Sequence, residues 1–179
     1  MRNIRTVAKA LLALVATVSL ALTGATAASA DTAPVTCAAG AQSSTYDPGL
    51  RLVFTPPNVH VHTEGNLGVC VALDFVHTAG TFELDGTGPL SCLDGGSGGT
   101  GRIDWAAPGT HDSHFTYTGL IVLRPDGVSV ITETGQITSG DYAGHTLVMA
   151  KVVASVNLVA CLTPQGLTQT SGPVNVVIL

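Results

Sequence analysis

The feature that most constrains the fold of this chain is a repeated alternation of apolar and polar residues with a period of two. Such alternation places every second side chain on one face and is typical of a half-buried β-strand. Clusters of glycine, proline, asparagine and aspartate separate the alternating runs and indicate turns between them. The runs that we assign to strands are residues 50–54, 58–62, 69–76, 81–84, 102–105, 115–123, 128–134, 146–160 and 174–179.

The number and spacing of these runs predict the fold class. About eight to ten short strands with glycine and proline turns indicate an all-β protein, either an antiparallel β-sandwich or a closed β-barrel. Charged residues make up only 11% of the 179-residue chain, whereas glycine, threonine and valine are abundant. This composition suits strands better than solvent-exposed helices, and no linker divides the chain into two folded domains.

The first thirty residues show the three-part pattern of a secretory signal peptide. Three basic residues lie within the first nine, residues 10–22 form an apolar centre, and the small residues 28–30 offer a cleavage site before Asp31. The apolar centre is too short to be a good membrane-spanning helix. We therefore predict a signal peptide over residues 1–30 and a single secreted, extracellular β domain over residues 31–179, with no membrane association after cleavage.

The charge of the predicted mature domain argues against two classes of partner. Three of the seven basic residues lie in the predicted signal peptide and none of the twelve acidic residues do. This leaves four basic and twelve acidic residues, a formal net charge of −8. Nucleic-acid binding requires clustered lysine and arginine, and docking to anionic lipid requires a positive surface. We therefore expect neither a nucleic acid nor a membrane as the partner.

The four cysteines, Cys37, Cys70, Cys92 and Cys161, all follow the predicted signal peptide. An even number of cysteines in an exported chain favours disulfides, here two. Four cysteines permit three pairings, of which we favour Cys37–Cys70 with Cys92–Cys161 while the other two stay open. A zinc site is the alternative, but zinc cysteines usually come in pairs two to four residues apart, and this chain has no such pair.

Two glycine-containing segments are interpreted as loops. Residues 124–127, Arg-Pro-Asp-Gly, match a four-residue hairpin loop, because Pro presets the turn and Gly accepts the left-handed conformation. Residues 95–101 are rich in glycine and are interpreted as a mobile loop. Ser97 completes a formal Gly-x-Ser-x-Gly pattern there, but a hydrolase nucleophile needs a strand before it and a helix after it. We therefore do not predict Ser97 to be catalytic.

The run over residues 146–160 is the longest predicted strand. Val148, Ala150 and Val152 fall on one of its faces, and Lys151 lies on the other, more mixed face. A helix is the alternative, but the valine-rich alternation favours a half-buried strand.

His60 and His62 are the candidate metal ligands. They are separated by one residue, so on a strand both imidazoles point to the same face, with Glu64 continuing the row. Two imidazoles can share a metal ion if a third ligand comes from elsewhere in the fold. The alternative is a solvated histidine row opposite the buried Val59 and Val61.

Other potential reactive groups form no complete catalytic set. His111-Asp112-Ser113-His114 is a local cluster in a predicted loop, and half of the twelve carboxylates adjoin glycine or proline, where turns explain them. Asp74 in a predicted strand and Asp104 beside Trp105 are the carboxylates of first interest. Trp105, the only tryptophan, is predicted to lie in the core. We predict no catalytic residue and no cofactor.

Four short motifs carry a resemblance to known proteins. They are Leu90-Ser91-Cys92, Gly101-Arg102-Ile103-Asp104-Trp105, Ser139-Gly140-Asp141-Tyr142-Ala143-Gly144 and Cys161-Leu162-Thr163-Pro164-Gln165-Gly166-Leu167. Through these motifs the later part of the mature chain resembles small secreted proteins of actinobacteria. The resemblance implies an exported, disulfide-containing β domain, and it brings no activity and no catalytic residue.

Two functional hypotheses follow from the sequence. The leading hypothesis is a non-enzymatic binding protein whose partner lies in the extracellular medium or at the cell envelope. The alternative is a secreted metal-dependent or hydrolytic enzyme that uses the row of His60 and His62.

Overall fold

The computed structural model describes residues 34–123, 129–153 and 157–179. The predicted signal peptide and the predicted hairpin loop at residues 124–127 lie outside these ranges. Within them, the chain forms nine strands and one short helix. These are β1 (Val35–Leu50), β2 (Asn58–Asn66), β3 (Val69–Ala72), β4 (Gly80–Pro89), β5 (Asp94–Trp105), β6 (Ser113–Leu123), β7 (Ser129–Ser139), β8 (Thr146–Val153), α1 (Leu158–Cys161) and β9 (Leu167–Ile178).

The strands form a closed antiparallel barrel of eight strands with one strand added. In the order β1, β2, β4, β5, β6, β7, β8 and β9 each strand pairs with the next, and β9 pairs back with β1. The added strand, β3, pairs with the first residues of β1. The predicted all-β fold is confirmed, and of its two alternatives the structure selects the barrel. Closure leaves the barrel strands without free edges.

The two ends of the barrel differ in the loops that they carry. We call upper the end that carries residues 73–79, 106–112 and 140–145, and lower the end that carries residues 51–57, 90–93 and α1. A disulfide lies at each end. Cys37–Cys70 joins β1 to β3, and Cys92–Cys161 joins the β4–β5 connection to α1, which is the pairing that the sequence favours. Among the described residues no helix has the length and apolar character needed to cross a membrane.

The interior side chains form two apolar clusters with polar side chains between them. The upper cluster includes Phe82, Trp105, Phe115, Leu147 and Met149, and the lower cluster includes Leu50, Val59, Leu90 and Leu167. Trp105 is therefore in the core, as predicted. The buried polar side chains between the clusters are those of Gln42, Ser44, Thr63, Glu133 and Lys151.

These polar side chains explain why the first strand is hard to predict. The inward face of β1 carries Gly40, Gln42 and Ser44, so it lacks apolar alternation. The hydroxyl of Ser44 bonds to Gln42 and to Thr63, at 2.8 Å in each case. The strand predicted at residues 50–54 is wrong, because β1 ends at Leu50 and residues 51–57 form no strand.

The long run after residue 145 divides into a strand and a helix. β8 ends at Val153 and α1 begins at Leu158, so the strand predicted over residues 146–160 is too long. The side chain of Asn157 accepts a hydrogen bond from the backbone N–H of Ala160 at 3.2 Å. This is the interaction by which asparagine at an N-cap starts a helix.

The closed barrel, and not the alternation of residue types in the sequence, determines which face of β8 is buried. Lys151 points inward, together with Leu147, Met149 and Val153, whereas the Val148 face points outward. Both faces are largely apolar, so alternation alone does not show which one is buried. The result is a lysine in the centre of the barrel, where its ammonium lies 2.7 Å from the carboxylate of Glu133.

The glycine-rich segment at residues 95–101 is a strand, so its prediction as a mobile loop is wrong. It forms most of β5, pairs with β6 along its length and pairs with β4 from Gly98 onward. Glycine is needed there because neighbouring groups take the space of a side chain. The ring of Phe115 occupies the position of a Cβ atom at Gly101, and the carbonyl oxygen of Asp85 occupies that position at Gly99.

We expect Gly99→Ala to destabilise the barrel by about 1–3 kcal/mol, the usual cost of overpacking. The matched control is Gly98→Ala on the same strand, where an added Cβ lies 3.3 Å from the nearest atom, the carbonyl oxygen of Tyr117. Reduced chain entropy in the unfolded state offsets part of that crowding, so the control should change stability by less than about 1 kcal/mol. Urea unfolding monitored by Trp105 fluorescence measures both, and equal losses would contradict this account of β5.

Candidate functional site

At the upper end a histidine lies between two carboxylates that come from different loops. Nδ1 of His77 is 2.6 Å from a carboxylate oxygen of Asp74, and Nε2 of His77 is 2.8 Å from a carboxylate oxygen of Asp141. Asp74 and His77 belong to the β3–β4 loop, and Asp141 belongs to the β7–β8 turn. His77 is 8% exposed. The three side chains, which we call the clasp, therefore hold two loops together.

Neighbouring groups complete the hydrogen bonds of the clasp. The hydroxyl of Tyr142 donates to Asp74 at 2.5 Å, and the backbone N–H of His111 donates to Asp141 at 2.8 Å. The ring of Trp105 packs edge-on against the ring of His77, with centroids 4.7 Å apart. The clasp thus bridges the end of β5, the β5–β6 loop and the β7–β8 turn.

The backbone around the clasp takes conformations that most residues avoid. Tyr142 has a φ of 63° and Phe75 has a φ of 60°, both in the left-handed region. Such conformations cost about 1–3 kcal/mol for residues other than glycine and persist where the surroundings enforce them. The Asp74 carboxylate supplies that constraint by accepting bonds from the backbone N–H groups of Val76 and His77.

Hydrogen bonding keeps both carboxylates of the clasp ionised. Burial would raise the pKa of Asp74, but hydrogen bonds from Tyr142, from two backbone N–H groups and from His77 outweigh it and lower the pKa. Burial likewise opposes ionisation of Asp141, and the N–H of His111 together with the ring of His77 lowers its pKa. Two negative charges therefore face His77 at neutral pH.

The hydrogen bonds of the clasp suit a structural contact between two loops and not catalysis. Both ring nitrogens of His77 are engaged by carboxylates, so neither is directed at a substrate. The hydroxyl of Ser113 is fully buried, accepts from the indole N–H of Trp105 and donates to the carbonyl oxygen of Asp141. A nucleophile and base pair needs a hydroxyl bonded to an open imidazole, which this cluster does not supply.

A row of exposed apolar side chains adjoins the clasp. It lies within eight consecutive residues that run from β3 into the β3–β4 loop, and Phe75 is its most exposed member at 87%. Exposed apolar groups close together are characteristic of interaction surfaces, whereas isolated ones are ordinary. The members of this apolar row are Val69, Val71, Leu73, Phe75 and Val76.

The strand residues that pair with the apolar row carry no charge. Thr36 and Ala38 of β1 pair with Val71 and Val69, and the next outward side chains belong to β9 and β8. Apart from Asp47 near the lower end of β1, the charged outward side chains of the described strands lie on β2, β4 and β5. They include Glu64, Glu83, Asp85, Arg102 and Asp104. The strand surface beside the apolar row is therefore depleted of charge, as the centres of protein interfaces are.

The predicted histidine row is present on the outside of β2. His60 and His62 are both outward, and Asp85 of β4 lies beside them, with Nδ1 of His62 3.0 Å and Nε2 of His60 3.6 Å from the same Asp85 oxygen. Among the residues that the structure describes, no group of three or more His, Cys, Asp or Glu side chains is arranged to hold a metal ion. The row is thus a solvent-exposed cluster of two histidines and one aspartate in this structure.

The structure separates the members of the other predicted cluster. His111 bonds to Asp141 in the clasp, Asp112 accepts a hydrogen bond from Arg102 at 3.1 Å, Ser113 is buried, and His114 points outward. Of the two carboxylates of first interest in the sequence, Asp74 belongs to the clasp and Asp104 is exposed on β5. Ser97 lies within β5 rather than on a strand-to-helix turn, so the Gly-x-Ser-x-Gly match has no catalytic setting.

Two features of the site have no clear signal in the sequence. The clasp joins residues 67 positions apart, and no motif links Asp74 to Asp141. The apolar row alternates as a strand does, so residues 69–76 are predicted as one strand, whereas β3 ends at Ala72 and the remaining residues form a loop. Only the structure shows that the large apolar side chains in that loop are exposed.

Comparison of the chain with protein-family models, with curated proteins and with solved structures finds no match.

Proposed function

We propose that this protein is a secreted, non-enzymatic binding protein that recognises a protein of the extracellular medium or the cell envelope through its apolar row. The observation that carries the proposal is the exposure of five large apolar side chains on a segment fixed by the clasp. A surface that is already rigid loses little conformational entropy on binding, so more of its contact energy becomes affinity.

Two further observations support secretion and binding. Two disulfides fit an oxidising, extracellular environment, and the first thirty residues match a signal peptide. The resemblance to small secreted proteins of actinobacteria agrees with that location. The clasp has the geometry of a structural support and not of a reaction centre, which favours binding over catalysis.

The charge of the chain indicates the chemistry of the partner. The predicted mature domain has a formal net charge of −8, and the strand residues that pair with the apolar row are uncharged. A matching partner presents an apolar patch with lysine or arginine at its rim, because complementary charge speeds the encounter and disfavours wrong partners. Phe75 is the central anchor in this proposal, since aromatic side chains dominate the energetics of interfaces.

Phe75→Ser is expected to weaken retention of the purified, oxidised protein on isolated cell envelopes of the producing organism by at least about tenfold. The reason is the loss of a large apolar contact while the clasp stays intact. The experiment measures saturable binding of wild type and variant over a range of protein concentrations. Protein-free vesicles made from the lipids of the same envelopes serve as the second surface.

Leu120→Ser is the matched control. Leu120 is also an exposed large apolar residue, but it stands on β6, away from the apolar row. Its substitution should leave retention unchanged. Equal retention of Phe75→Ser and wild type, equal loss in both variants, or retention on the lipid vesicles alone would each overturn the proposed function.

A further inference from the structure

The geometry points to regulation of the apolar row by protonation: we infer that His77 is held as a doubly protonated imidazolium, and that loss of one proton releases the β3–β4 loop. This inference rests on the proposed function, because it concerns the presentation of the same surface. It arises from the two short contacts of one ring with two carboxylates.

The two contacts require two N–H groups on the ring. A carboxylate ion only accepts hydrogen bonds, and neutral imidazole carries a single N–H. With one N–H, one of the two carboxylates would face an unprotonated nitrogen at 2.6 or 2.8 Å, where two lone pairs repel. Both contacts form together only when both nitrogens carry protons, so the clasp is a charge-assisted pair of hydrogen bonds.

The charged and titratable groups around His77 favour this state. Asp74 comes from its own loop and Asp141 from the β7–β8 turn. Tyr142 donates to Asp74, and burial together with the nearby carboxylates raises the pKa of that tyrosine, so it stays neutral. His111 lies at 3.4 Å from Asp141 on the solvent side, and His145 packs against the ring of Tyr142.

The clasp should therefore be closed only within a window of pH. On the acid side, the lowered pKa values of Asp74 and Asp141 mean that their contribution is complete above the ordinary aspartate value of about 3.9. That contribution is lost as the pH falls through the lowered values. On the alkaline side, loss of a proton from His77 breaks one of the two bonds.

Opening the clasp acts on the binding surface through Asp74. Its carboxylate holds the backbone N–H of Val76 and of His77 and thereby fixes the turn that presents Phe75. A carboxylate without its imidazolium is drawn towards water, and the left-handed conformation of Phe75 loses part of its support. The apolar row then becomes a looser segment that must be ordered again on binding.

The first test is nitrogen NMR of the imidazole rings in the oxidised protein at about pH 7. The expected result is a His77 ring with both nitrogens protonated, whereas a solvent-exposed histidine such as His114 serves as the internal reference. A His77 ring with a single protonated nitrogen at this pH would overturn the inference.

The second test uses Trp105, the only tryptophan, as a reporter. An imidazolium quenches the fluorescence of an adjacent indole more strongly than neutral imidazole does, and the two rings are 4.7 Å apart. Raising the pH above neutral to the onset of unfolding should therefore increase the fluorescence of wild type and decrease retention by about tenfold. His77→Gln should remove the pH response of the fluorescence, and His145→Gln at the same end should keep it.

The outcomes separate this inference from the proposed function. The NMR and fluorescence measurements need no partner. If His77 is doubly protonated but the protein is not retained on envelopes, the inference about the clasp holds and binding through the apolar row is rejected. If retention changes neither with His77→Gln nor with pH, regulation by His77 is rejected and binding through the apolar row still holds.

Discussion

Lys151→Ala is expected to destabilise the barrel by about 3–5 kcal/mol, the cost of leaving one partner of a buried ion pair uncompensated. The Lys151 side chain is 1% exposed and that of Glu133 is 7% exposed. Burial lowers the pKa of Lys151, and the neighbouring Glu133 carboxylate opposes that effect. Without the ammonium, the Glu133 carboxylate would remain inside the barrel with neither oxygen hydrogen-bonded among the described residues. Urea unfolding at neutral pH measures the loss.

Two controls make this result specific to the buried pair. Replacing both partners, as Lys151→Met with Glu133→Leu, removes both charges and should recover most of the loss, because an apolar pair needs no compensation. Glu83→Ala breaks the exposed pair with Arg102, whose atoms are 3.3 Å apart, and should cost less than about 1 kcal/mol. Similar losses for Lys151→Ala and Glu83→Ala would show that Lys151 is not buried.

Removing the Cys92–Cys161 disulfide by changing both residues to serine should cost about 4 kcal/mol. The bond closes a loop of 69 residues, and in the chain-entropy model the stabilisation grows with the logarithm of that length. The substitution also frees α1 from the β4–β5 connection at the lower end. Thermal unfolding of the oxidised wild type and of the double variant measures the difference.

The upper end provides the control for this prediction. The Phe75 apolar row and the clasp lie at the other end of the barrel, so retention on envelopes and the Trp105 response to pH should survive in the double variant. Intact mass before and after reduction shows whether both disulfides of wild type are formed, since each bond accounts for two hydrogens. A double variant as stable as wild type would mean that the lower end is held by its packing alone.

Several strands could be predicted because their residues alternate in a way that only a sheet satisfies. β2 is an example, since Val59 and Val61 are buried and His60 between them is exposed. β1 and β5 could not be predicted in this way. The inward positions of β1 are partly polar and those of β5 are partly glycine. Both features depend on contacts between strands, such as that of Gly101 with the ring of Phe115, its paired residue on β6.

The candidate site was less accessible to prediction than the fold. The proximity of His60 and His62 follows from local spacing, and the structure places them on one face as expected. The clasp depends on contacts between residues distant in sequence, which arise only when the β3–β4 loop and the β7–β8 turn meet at the upper end. The same holds for Lys151 and Glu133, which share the interior because neighbouring strands bring them together.

The sequence by itself determined the all-β class and an approximate number of strands, because these follow from local alternation and turn residues. Tertiary structure alone decided that the sheet closes into a barrel, that Lys151 points inward and that His77 lies between two carboxylates. The physical reason is that closure assigns the inside and the outside of every strand at once, whereas an alternating pattern with two apolar faces leaves that choice open.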